Sequence, residues 1–331
     1  MSFFNKTSKN KIGFMISIIS FLMGFYLPTF ASEIKITSPI KAKLALNWKA
    51  EPQFGGFYQA QQDGDYQKIG LDMEIIEGGS GTPTIQMLMN DKVDFAVVSG
   101  EEILLAADRS PNNKVVALFA TYQTYPHMIM THAERNFKSL QEVFTSDGIL
   151  SIQPGLPYFQ FLLKKYPNPK VQTVPYAGGV TAFLNNPKYS QQGFVTSEPL
   201  LAEKAGAKVK TFLIADTGFN PYTTVLAVSQ KWLKSHGATA KDLQKATQQG
   251  WAKYLKNPDK MNQYMASLNK SMDLQTFQKS ALAQKALIQN KLTDSKGLGY
   301  MQQQRWETLS SQLLQTGQIK TASPVKELFQ N

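Results

Sequence analysis

Residues 44–58, LALNWKAEPQFGGFY, and residues 71–102, LDMEIIEGGSGTPTIQMLMNDKVDFAVVSGEE, decide the fold. Short apolar runs alternate here with helical patterns. Leu44, Ala45 and Leu46 read as a strand, and Phe57, Tyr58 and Ala60 share a helical stretch that stops at Gly64. Residues 73–76 predict a second strand, ended by the glycine cluster at 78–81. Thr82 and Pro83 then read as the N-cap and first residue of a helix whose apolar face is Ile85, Leu88 and Met89. Residues 94–98 predict a third strand, with a helix from about Glu101. This order argues for a parallel sheet covered by helices.

Outward from that stretch, residues 115–120 add a fourth strand and the rhythm restarts. Strands are expected at 128–131, 149–152, 171–174, 193–196 and 211–214, with helices over 158–166, after Gly178-Gly179 and from Pro199. A strand at 223–228 leads into a helical tail over 239–256, 273–289 and 300–315, with Trp251, Tyr254, Leu255, Phe277, Leu282 and Trp306 as core contacts. The expectation is an α/β protein of two lobes, each a mostly parallel sheet flanked by helices, with a helical C-terminal tail. Lobe one takes 32–124 plus 222–331 and lobe two takes 125–221, with crossings near 122–127 and 217–223. Two crossings place a cleft between the lobes, and the loops at the strands' carboxyl ends are where a ligand is expected. The 331 residues are enough for two ordinary cores.

The first 31 residues read as a signal peptide. Lys6, Lys9 and Lys11 form a positive start, residues 12–27 an apolar core, and Thr29-Phe30-Ala31 an exit that predicts cleavage after Ala31. The formal charge is +11; subtracting the 3 leader lysines leaves +8 for the rest. Those charges are scattered among acids with no basic run, so no nucleic-acid partner is expected. The chain has no cysteine, which excludes disulfides, thiolate metal sites and a lipid-modified cysteine at the cleavage point. A soluble, monomeric periplasmic protein is the expectation.

Several loop residues share the expected cleft. Trp48 follows a strand directly and offers an indole for stacking. Gly79 and Ser80 lie in a glycine-rich turn that brings backbone N–H groups close to a ligand. Ser99 and Glu101 end the third strand, with helix capping as the plain alternative. Gln123 and Tyr125 mark the first crossing, Asn220 and Tyr222 the second. Gln153, Tyr158, Tyr176, Gly178 and Glu198 stand at the matching strand ends of lobe two. Rings, amides and carboxylates together suit a flat, hydrogen-bonding heterocycle better than a bare anion. His127, His132 and His236 have no metal-ligand spacing, and no Gly-x-Ser-x-Gly elbow occurs, so neither metal, cofactor nor catalytic residue is expected.

Leu-Asn-Trp-x-x-Glu-Pro-x-x-Gly-Gly-Phe-Tyr (46–58), Gly-Leu-Asp (70–72) and Lys-Val-Asp-Phe (92–95) resemble one family of periplasmic binding proteins. It takes in receptors for thiamine pyrimidine precursors, riboflavin, sulfonates, taurine and nitrate, and the eukaryotic thiamine pyrimidine synthases. The resemblance is strongest over 44–126 and 192–228. It implies a type II periplasmic-binding-protein fold and a small ligand handed to an ABC permease with its ATPase. The synthases carry a lysine and, four residues on, a histidine; the matching positions here are Val98 and Glu102. Their cysteine-rich motif before Thr-Val-Leu is replaced by Phe219-Asn220-Pro221-Tyr222-Thr223. The resemblance therefore implies a receptor rather than an enzyme. Pyrimidine receptors often carry Asn-x-x-His after the tryptophan; Phe54 stands at the histidine position, leaving an aromatic pocket for a thiamine precursor or a riboflavin-like ring. Sulfonate, taurine and nitrate rank lower.

Overall fold

The computed structural model describes residues 39–331 except residue 154. The expected leader with its cleavage point, and Pro154, lie outside the described residues. Strands β1 (Ile40–Ala45), β2 (Leu71–Ile76), β3 (Phe95–Val98) and β4 (Val115–Tyr122) alternate with helices α1 (Gly55–Gln62), α2 (Thr84–Met89) and α3 (Gly100–Arg109). The second series is β5 (His127–His132), α4 (Leu140–Thr145), β6 (Ile149–Ile152), α5 (Pro157–Lys165), β7 (Gln172–Pro175), α6 (Thr181–Leu184), β8 (Tyr189–Phe194), α7 (Glu198–Lys204) and β9 (Val209–Leu213). Strand β10 (Thr223–Ser229) precedes α8 (Gln230–Ser235), α9 (Gly237–Lys256), α10 (Asp259–Leu268), α11 (Leu274–Ala283), α12 (Lys285–Ile288), α13 (Lys291–Lys296) and α14 (Gln303–Gln315).

The strands form two five-stranded sheets, β2-β1-β3-β10-β4 and β7-β6-β8-β5-β9. Each sheet is mixed in the same way. Strands β1, β2 and β3 pair in parallel, while β10 runs against both β3 and β4. Strands β6, β7 and β8 pair in parallel, while β5 runs against both β8 and β9. The reversed strand is in each case the one that arrives from the other sheet. The chain leaves β4, passes residues 123–126 and enters the second sheet as β5; it leaves β9, passes 214–222 and returns as β10.

Helix α1 packs against α9 at unusually close range. A Cβ at Gly56 would stand 2.2 Å from the Trp251 ring, and one at Gly250 would stand 2.3 Å from the Gly56 carbonyl oxygen. The Gly-Gly pair of the 46–58 motif is thus a packing device. Trp251, Tyr254, Leu255, Phe277 and Trp306 are buried as expected. Leu282 is not: it stands 68% exposed, because α11 turns Thr276, Phe277, Ser280 and Ala281 inward and puts Leu282 on the opposite side.

Two local expectations are corrected. The second helix begins at Thr84, with Pro83 before it, and the Thr82 hydroxyl accepts from the Gly79 N–H at 2.8 Å rather than capping. Thr84 instead donates to the Val97 carbonyl at 2.9 Å, tying α2 to β3. Strand β8 starts at Tyr189, earlier than the apolar run suggests. Its Ser190, Gln191 and Gln192 are buried yet polar, and their side chains find partners inside the second lobe.

Candidate functional site

The segments after β1 and β3 come up against those after β6, β7 and β8, close enough for Glu51 and Glu101 to feel Glu198, Tyr176 and Tyr158 across the seam between the two sheets. On the first side Trp48 is half-buried, and its indole N–H donates to Glu51 Oε1 at 3.0 Å. The loop holding both is fixed from behind. Gly78 donates its N–H to the Trp48 carbonyl at 3.0 Å, and Ala50 donates to Glu77 Oε2 at 2.9 Å. A Cβ at Gly78 would stand 2.2 Å from the Leu46 carbonyl oxygen, so only glycine allows this approach. Gly79 and Ser80 lie further out, Ser80 exposed. Burial pushes the Glu51 carboxyl up to about 8, and the charge of Glu198 adds to the rise; the Trp48 hydrogen bond and Lys49 oppose it.

On the second side Glu198 opens α7. Its Oε1 accepts from the Tyr176 hydroxyl at 2.6 Å and its Oε2 from the Phe194 N–H at 2.8 Å. A Cβ at Gly193 would stand 2.6 Å from that carboxylate, so the glycine makes room for it. Burial raises the Glu198 carboxyl as well. Gln192 Oε1 accepts from the Tyr158 hydroxyl at 2.8 Å and from the Gln153 N–H at 2.7 Å. Gly178 is exposed with φ +87°, a turn conformation suited to glycine.

The two sides meet. The Tyr122 hydroxyl donates to Gln284 Oε1 at 2.8 Å, and Gln284 Nε2 donates to the Pro52 carbonyl at 3.0 Å. The Tyr122 ring packs edge-on against Phe194, centroids 6.3 Å apart. A chain of contacts therefore runs from Glu51-Pro52 through Gln284 and Tyr122 to Phe194 and Glu198. At the margin, Lys204 Nζ of α7 bridges Asp273 Oδ2, which caps α11, at 2.7 Å.

Beneath this contact lies a buried polar floor. Glu101 is 2% exposed, and its Oε1 accepts from the Tyr125 hydroxyl at 3.1 Å. Tyr125 stacks on His127 at 4.5 Å, and His127 lies 4.4 Å from Phe194 and 5.5 Å from Tyr158. Burial pushes Glu101 up to about 7 and His127 down to about 3, which leaves the imidazole neutral at pH 7. Glu101 Oε2 and His127 Nδ1, on either side of Tyr125, have no hydrogen-bond partner in the protein.

The candidate residues thus divide. Trp48, Tyr176 and Glu198 line the seam, and Glu101, Tyr125, Gln153 and Tyr158 lie at or below it. Phe54 is fully buried in the first lobe's core. Ser99 is the N-cap of α3 in a capping box with Glu102. Gln123, Asn220 and Tyr222 cluster at the crossings around Arg305. Sequence reasoning did not single out Glu51, Tyr122, Gln192 or Phe194, and it weighed His127 only as a metal ligand. The i, i+3 spacing of Trp48 and Glu51 after a strand was the available signal for the first; nothing local announced the others. Among the described residues no group of three or more His, Asp or Glu is placed to hold a metal, and no helix is long and apolar enough to cross a membrane.

Comparison with known proteins bears on the fold and the family. Riboflavin-binding protein RibY of Chloroflexus aurantiacus is 23% identical over 87% of this chain and 84% of its own length. The formylaminopyrimidine-binding protein of Halalkalibacterium halodurans is 19% identical over 82% and 84%. A solved structure from Candida albicans, described as exhibiting the generic periplasmic binding protein fold, matches with a TM-score of 0.63 at 15% identity, covering 88% of this chain and 96% of that one. That likeness shows the fold: two lobes of mixed sheet flanked by helices. A family model described as NMT1/THI5 like matches residues 51–261, the span that holds Glu51, Glu101, His127 and Glu198, and the chain belongs to that family.

Proposed function

We propose that the protein is the solute-capturing subunit of an ABC importer, holding a flat nitrogen heterocycle in the seam between its lobes. One observation carries this reading: Trp48 bonded to Glu51 on one lobe and Tyr176 bonded to Glu198 on the other lie close enough for the two carboxyl groups to act on each other. Rings supply stacking surface, and the carboxylates accept from ring or exocyclic N–H groups. Burial holds the Glu51 carboxyl largely protonated at pH 7 and raises Glu198 beside it, so the pair offers hydrogen bonds but no cation to a sulfonate or nitrate, which speaks for a heterocycle over those anions. The named binding specificities of the two relatives, riboflavin and a formylaminopyrimidine, set the compounds to try first. In this reading the mature protein acts outside the cytoplasm and delivers its ligand to a permease.

Binding without turnover is the expected behaviour. Val98 is fully buried in β3, and Glu102 is engaged in the capping box of α3, so the synthase-equivalent positions offer no nucleophile. Calorimetric titration with riboflavin and with formylaminopyrimidine tests the reading. One of them should bind, and Trp48→Ala should weaken that binding by about tenfold to a hundredfold, as for a central aromatic contact. Unchanged affinity in Trp48→Ala would remove the seam as the site.

A further inference from the structure

Helix α14 lies across both lobes on the side of the crossings. Trp306 and Leu309 bury themselves in the core beside α3. Further along, Gln312 Nε2 donates to the Gly218 carbonyl at 2.8 Å, and Lys164 of α5 donates to the Gln315 carbonyl at 2.7 Å. At its first turn α14 sends Arg305 into the gap between the crossings. Nη1 donates to the Gln123 carbonyl of the first crossing at 2.6 Å. Nε donates to the Asn220 carbonyl at 2.5 Å and Nη2 to the Pro221 carbonyl at 2.7 Å, both in the second. Nη2 also reaches Asn220 Oδ1 at 3.0 Å, the same oxygen that accepts the Tyr125 N–H of the first crossing at 2.8 Å. The guanidinium carbon lies 3.9 Å above the Tyr222 ring.

A hinge moves by φ/ψ changes in a few residues, and both strands of a double crossing must change together. The carbonyls in Arg305's grip belong to those residues. A rigid planar fork holds several acceptors in one fixed geometry, so rotating either crossing breaks charge-assisted bonds or drags the other crossing along. The neighbourhood also carries backbone strain: Thr224, two residues beyond Tyr222, has φ +52°, a left-handed conformation that a β-branched residue adopts only under constraint.

We propose that Arg305 is the positioning residue of the hinge: it ties both crossings to α14 and sets the balance between the touching lobes described above and an open arrangement, without contact with ligand. The inference rests on the reading of the seam as a ligand cleft. Apparent affinity then scales with the fraction of molecules in the binding-competent arrangement.

The test needs no ligand. The chain has no cysteine, so Gln86→Cys on α2 and Ala182→Cys on α6, both exposed, give two clean spin-label sites, one per lobe. Pulsed electron-spin distance distributions are compared for Arg305, Arg305→Lys and Arg305→Gln. Arg305→Gln should move the ratio of short to long distances about tenfold towards long, the scale of one lost charge-assisted hydrogen bond. Arg305→Lys, a point charge that reaches one crossing, should fall between. A folded Arg305→Gln with the parent's distribution overturns the proposal. If Arg305→Gln fails to fold, Arg305→Lys decides alone: longer distances support the proposal and the parent's distribution overturns it. Riboflavin titration runs alongside; failure of the parent to bind counts against the ligand assignment, while the distances still judge the hinge.

Discussion

Glu51 makes the seam sensitive to pH. Its carboxyl titrates near 4.5 when unfolded and at about 8 in the folded chain. Across that window the native state holds a proton that the unfolded state has released, so stability falls as pH rises from 4.5 to 8. Glu101, held to about 7, acts in the same direction over a narrower range. His127 works the other way between about 3 and 6.5, because the unfolded imidazole takes a proton the native one refuses. Between pH 7 and 8 the slope from Glu51 is the largest of the three, since Glu101 has already lost about half its proton at pH 7 and His127 no longer titrates. Thermal unfolding of the unliganded protein should therefore show a falling midpoint over that interval, and Glu51→Gln should flatten it. An equal fall in both would show that Glu51 is already ionised at pH 7. Residues of this kind were only partly legible beforehand. Trp48 and Glu198 stand out because rings and acids at strand ends are conspicuous, whereas Phe194 and Gln192 acquire their role only when β8 is folded beside β5 and α5.

The α1–α9 contact shows the same limit for elements. The pair Gly55-Gly56 enters the sequence reading only as part of the 46–58 motif, with no packing role visible there, yet the glycines serve to admit Tyr254 and Trp251. Gly250→Ala should destabilise the protein by about 1–3 kcal/mol, because the new methyl meets backbone and Ala60 rather than a side chain free to move. Urea denaturation measures it, and a loss below about 0.5 kcal/mol would mean the helices part easily. The alternation of strands and helices was readable because buried parallel strands are short apolar runs. What escaped was what tertiary context decides. The polar β8 is a strand because its glutamines find acceptors and donors inside the lobe. Helix α11 ends where Gln284 turns to bond Tyr122 and Pro52. The reversal of β5 and β10 leaves no mark on their composition.

At the scale of the molecule, the lobes hold each other through few contacts on the seam side. Lys204 and Asp273 are both about half exposed, so their bridge contributes about 0–1 kcal/mol. Lys204→Ala should weaken binding of whichever of riboflavin or formylaminopyrimidine the parent binds by no more than about fivefold at low ionic strength. The difference should vanish near about 1 M salt, where the screening length falls to about 3 Å. A larger effect that survives high salt would place Lys204 against the ligand itself.

The position of β10 has a consequence for how the chain is made. Everything the second sheet needs has been synthesised by residue 213, whereas β3 and β4 have no strand between them until residue 229 exists. The half that begins first is therefore completed last. A nascent chain halted between these points presents a finished lobe beside an incomplete sheet, with β3 offering unpaired edge groups to any passing strand. A holding chaperone would have most effect on that interval, and the segment it would need to shield is β3, Phe95–Val98.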